Sequence, residues 1–71
     1  MEIVEVFKTD VVRDEEASRL ITKLSSHFPH YKINFDLQDC DHILRVQGEH
    51  IFCDRIIELI KVSGFECEVL E

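Results

Sequence analysis

Along the chain the spacing of apolar positions switches repeatedly between two residues and 3.6. Ile3 to Lys8 is a β-branched, apolar run and predicts a strand. Alternation assigns Val4 and Val6 to one face and Ile3, Glu5 and Phe7 to the other. The charge of Glu5 marks the second face as the wetter one, so Val4 and Val6 are expected to point into the core. From Asp14 the period lengthens: Ala17, Leu20, Ile21, Leu24 and Phe28 form the stripe of an amphipathic helix. Asp14, Glu15 and Glu16 crowd its first turn, where negative charge meets the positive end of the helix dipole. Asp10 is the expected N-cap, and Pro29 stops the helix.

Ile33, Phe35 and Leu37 then alternate with Asn34 and Asp36 in a second strand, followed by a polar turn from Gln38 to His42. Leu44 and Val46 alternate with Arg45 and Gln47 in a third strand closed by Gly48. Phe52, Ile56, Leu59, Ile60 and Ser63 return to helical spacing, which Gly64 terminates. Phe65, Cys67 and Val69 alternate with Glu66 and Glu68 as a last strand. The order β-α-β-β-α-β predicts an α+β, ferredoxin-like fold: a four-stranded antiparallel sheet with two helices on one face. Residues 1–71 are expected to form this single domain, with Leu20, Leu24, Phe35, Val46, Ile56 and Ile60 in its core above Val4 and Val6.

Composition narrows the function. A chain of 71 residues with a net charge of −7 repels polyanions, so nucleic acid is not an expected partner. It also has little room for a deep enclosed active site. No run approaches the roughly 18 apolar residues of a membrane span. The first residues carry acids where a secretory signal carries basic ones. Three cysteines, Cys40, Cys53 and Cys67, form no C-x-x-C pair and cannot all be joined within one chain, which fits a reducing cytoplasm.

Three segments resemble the heavy-metal-associated domains of copper chaperones and metal-transporting ATPases. Ile33-Asn34-Phe35-Asp36-Leu37 is similar to that family's V-x-V-D-L strand, and Leu44-Arg45-Val46-Gln47-Gly48 to its V-x-V-x-G strand. The stretch from Ile56 to Leu70, with Leu59-Ile60, Gly64-Phe65 and Cys67, is similar to its I-x-x-A-I-x-x-x-G-Y-x-A ending. The resemblance implies a M-x-C-x-x-C loop between the first strand and first helix, binding a soft ion through two thiolates. Here the methionine position falls on Lys8 and the two cysteine positions on Asp10 and Arg13. Arginine cannot deprotonate and repels a cation. No metal ligand and no cofactor is therefore expected at this loop. The two cations could attract an acidic group, but the acids that follow at Asp14, Glu15 and Glu16 oppose it.

Cys40 and His42, with Asp39 or Asp41, are the alternative zinc-type ligands, and both pairs fall in the turn at the same end as Asp10. His27, His30 and His50 are expected together at the opposite end, as solvated polar residues. Cys67 reads as a small buried hydrophobe. Cys53, at the start of the second helix, is expected unreactive because Asp54 opposes formation of its thiolate. No activated nucleophile or acid–base pair is legible, so the chain is expected not to be an enzyme.

In the ferredoxin-like order the first and third strands are central. With Val4 and Val6 facing the helices, Ile3, Phe7, Ile43 and Arg45 are expected on the uncovered face, joined by Leu70. Glu5, Gln47, Glu66 and Glu68 would border them. The expectation is thus a non-enzymatic interaction or regulatory module that meets a protein partner or a second copy. The alternative is a metal carrier or sensor with non-standard ligands.

Overall fold

A computed structural model describes residues 1–70. The elements are β1 (Ile3–Thr9), α1 (Asp14–His27), β2 (Lys32–Asp36), β3 (Ile43–Gly48), α2 (Cys53–Val62) and β4 (Cys67–Val69). The strands form one sheet in the order β2-β3-β1-β4, every neighbouring pair antiparallel. This is the ferredoxin-like arrangement expected from the sequence. The helices share one face of the sheet, α1 beside β2 and α2 beside β4.

Both helices bury the centres of the predicted stripes, whereas Phe52, expected in the second stripe, precedes α2 and is exposed. Ala17, Leu20 and Leu24 of α1 and Ile56 and Ile60 of α2 meet Leu44, Val46 and Cys67 from the sheet. Phe35 packs against this core only partly buried. α1 starts from Arg13 in an extended conformation with no side-chain cap, so its acidic first turn alone answers the helix dipole. α2 ends in a Schellman arrangement: Phe65 N–H donates to the Ile60 carbonyl and Gly64 N–H to that of Lys61, at 3.2 and 3.0 Å. Gly64 takes φ +98° there, which a Cβ would resist although the space around it is open. The chain then enters β4 at Cys67, two residues later than the apolar Phe65 suggests.

The first strand differs from its expectation in a consequential way. Phe7 is 0% exposed and sits in the core, Thr9 beside it is buried, and Val4 is 50% exposed. Register explains the inversion. Phe7 pairs with Leu44 and Glu5 with Val46, so all four share the helix-covered face, whereas Val4 and Val6 lie opposite Gln47 and Arg45 on the other. Ile3 belongs to the covered side too, and its partial exposure comes from its place at the end of the sheet, opposite Gly48. Glu5 misleads the alternation because it is tolerated under the helix layer. It is half-buried, and its charge reaches the Cys53 thiol in the first turn of α2, where the helix dipole favours a carboxylate. Beyond β1, Val11 also plugs the core, held by a bond from its N–H to Thr9 Oγ1.

Candidate functional site: the uncovered sheet face and the loops beside it

Antiparallel register assembles the uncovered face row by row. One row runs Asn34, Arg45, Val6, and then Leu70, whose N–H donates to the Val6 carbonyl at 2.8 Å. The next runs Asp36, Ile43, Lys8, Glu68, and a third runs Lys32, Gln47, Val4. The side chains on view are therefore Val4, Val6 and Leu70 as an apolar strip, with Arg45 and Lys8 against it. Val4 and Leu70 are 50% and 39% exposed.

Of the residues expected here, Arg45 is exposed on this face as anticipated, and so is Leu70. Ile43 also points this way, yet it is only 5% exposed and takes no part in the helix-side core. It supplies the floor of the face rather than free surface. Phe7 and Ile3 do not belong to it, for the register reason given above, and neither does Glu5. The missed members are Val4 and Val6. The sequence signal for them is the pairing of Glu5 with Val46, whose alternation in the third strand is core-type and so places Val4 and Val6 on the opposite face.

The face carries charges of both signs: Lys8, Lys32 and Arg45 stand among Asp36 and Glu68, with Asp41 beside Lys8 and Glu2 bonded to Gln47 at its margins. Lys8 and Glu68 are direct cross-strand neighbours, the arrangement in which opposite charges stabilise a sheet pair.

The first loop is engaged structurally. Asp10, which does not cap α1, accepts the Glu66 N–H at 2.8 Å through Oδ1 and so ties the loop to the approach of β4. Arg13 Nε lies 3.6 Å from Glu15, and Lys8 Nζ lies 4.0 Å from Asp41. No pair of soft ligands is offered there.

Beside it, the turn after β2 is folded on itself. Asp41 N–H donates to Asp39 Oδ1 at 2.9 Å and His42 N–H to the Asp39 carbonyl at 3.0 Å, while His42 takes φ +46°. Ligand atoms of Asp39, Cys40 and Asp41 come within 4.8 Å of one another. His42 does not join them, and its Nδ1 is buried without a partner. The alternative Cys40–His42 ligand pair is therefore not assembled, and the group that does converge is two carboxylates and one thiol, with Asp39 and Cys40 exposed and Asp41 half-buried. At the opposite end His27, His30 and His50 do line one groove, as expected.

The thiols divide by burial. Cys67 is buried, and burial pushes its thiol up to about 12. Cys53 is raised as well, first by burial and then by Glu5 and Asp54, so its place in the first turn of α2 does not generate a thiolate. All three cysteines are free, and Cys40 is the exposed one. None of the helices described is long and apolar enough to cross a membrane. No family model, curated protein or solved structure matches the chain.

Proposed function

We propose that this chain is a small non-enzymatic interaction or regulatory module, similar to a heavy-metal-associated domain whose metal loop has been replaced, and that it works through its uncovered sheet face. The observation that carries the reading is the strip of Val4, Val6 and Leu70 on that face, set against the cations Lys8 and Arg45. Apolar surface bordered by charge is how partner surfaces are built. The occupant that fits it is another protein chain, a second copy included, because the face carries charges of both signs. Nucleic acid is disfavoured by the net charge of −7, and the free thiols suit a cytoplasmic setting. Catalysis is not part of the reading, since the raised thiols of Cys53 and Cys67 supply no activated nucleophile. Sedimentation of the wild type beside a Val6→Glu variant tests self-association. The wild type should show concentration-dependent mass that the variant loses, and a wild type that stays monomeric at millimolar concentration removes the second copy as occupant.

A second reading, a metal carrier or sensor, is favoured by one observation, the convergence of Asp39, Cys40 and Asp41. The donors are mostly hard carboxylates, which suit Cu(I) poorly. A competition titration under reducing conditions should find no stoichiometric Cu(I) binding. Binding lost in Asp10→Ala would contradict the replacement of the metal loop. Binding lost only in Cys40→Ser would favour the second reading instead.

A further inference from the structure

The end of the domain remote from the first loop carries an open groove of about 600 Å³, within the size range of small-ligand sites. Its wall is aromatic and locked in place. The Tyr31 ring lies so close over Gly48 that a Cβ there would come within 2.8 Å of its Cδ1. The Tyr31 hydroxyl accepts the Phe52 N–H at 3.0 Å, and Phe28 stacks on the ring with centroids 5.0 Å apart and planes 14° from parallel. Phe52 completes the wall with 53% of its surface exposed. Three rings from two loops thus form the wall, and the stacked Phe28–Tyr31 pair is in place before any ligand arrives, which keeps the ordering cost of binding low.

The lining residues with a formal charge are carboxylates, set among His27, His30 and His50. Glu2 and Glu49 line the groove and no lysine or arginine does. Glu2 Oε1 accepts a bond from Gln47 Nε2 at 2.7 Å, which orients its carboxylate. Glu49 meets the Met1 amine at 3.6 Å, but both groups are largely exposed, so this pair is weak and exchangeable. The Phe52 ring already receives one guanidinium: Arg55 Cζ stands 5.2 Å from its centroid. An anion would meet the Glu2 and Glu49 carboxylates with no lysine or arginine among the lining residues, and a purely apolar ligand would leave the carboxylates unused. A cation gains from both features, through the ring quadrupole and through the carboxylates.

From this geometry we infer that the groove walled by Phe28, Tyr31 and Phe52 and rimmed by Glu2 and Glu49 binds a small organic cation bearing a guanidinium or ammonium group. The size of the groove favours a free small molecule over a folded partner. The aromatic wall stands on loops outside the sheet face, which the groove adjoins through Glu2 and its partner Gln47, so failure to bind at Phe52 leaves that reading untouched.

The test is a titration of the full chain with arginine amide, followed through the ring proton resonances of Tyr31 and Phe52. Citrulline amide, of the same shape with a neutral ureido group in place of the guanidinium, is the control, both compounds being Nα-acetylated so that neither carries an α-ammonium. Saturable shifts are expected, with citrulline amide at least about tenfold weaker. Phe52→Ala and the exposed Glu49→Gln should each weaken binding several-fold, and Glu49→Gln does so without touching the core. Equal binding of citrulline amide, shifts that never saturate, or indifference to both substitutions would overturn the inference. A blocked peptide with a central arginine binding more than about tenfold tighter than arginine amide would overturn the small-molecule occupant in favour of a basic peptide. Shifts of Phe52 on concentrating the protein alone would do so in favour of a second copy.

Discussion

Replacing Phe7 with alanine should cost about 3–5 kcal/mol, close to the whole stability of a small domain. The ring is 0% exposed and lies on the central strand β1, in register with Leu44 on one side and Val69 on the other. Truncating it opens a cavity between the sheet and both helices, and no neighbouring loop can collapse into the centre of a sheet. Phe7→Glu should be worse, since it buries a charge without a partner. Val4→Ala, three residues earlier on the opposite face and 50% exposed, should by contrast stay within about 0.5 kcal/mol. Urea denaturation of both variants checks the pair. A loss below about 1 kcal/mol at Phe7 would mean that β1 presents its other face to the helices.

Leu24→Ala and Ile60→Ala should each cost about 2–5 kcal/mol. The two side chains are fully buried, one from each helix, in the same core. Their losses are expected to be large individually and less than additive together, because removing both lets the helices settle onto one shared void. Denaturation midpoints of the single and double variants give the measurement. Tolerance at both positions would mean that the apolar stripes of α1 and α2 do not face the sheet.

The readable parts of this chain are those where one physical signal dominates. The stripes of Leu20 and Leu24 and of Ile56 and Ile60 have no competing alternative, and they are buried as the helical period requires. Clean alternation in β2 and β3 likewise places Leu44 and Val46 inward and Arg45 outward. In β1 both faces carry apolar residues, so the alternation rests on Glu5 alone. That acid is half-buried on the helix-covered face, where its charge acts on the Cys53 thiol of α2. A single residue therefore exchanged Phe7 for Val6 on the interaction face, as a period of two demands. Asp10 has the chemistry of an N-cap but is taken by the Glu66 amide, 56 residues away, a bond no local pattern can register. The aromatic wall was equally hidden. It depends on Tyr31 lying over Gly48 and bonding the Phe52 amide, contacts between loops far apart in sequence.

The central claim is that the sheet face, rather than the first loop, is where this module meets another chain. Amide chemical shifts of the uniformly labelled protein, followed from millimolar to micromolar concentration, test it most directly. The account predicts that concentration-dependent shifts gather on Val4, Val6, Arg45 and Leu70 and vanish in Val6→Glu. Shifts confined to α1 and α2, or a spectrum unchanged by dilution, would contradict self-association through the sheet.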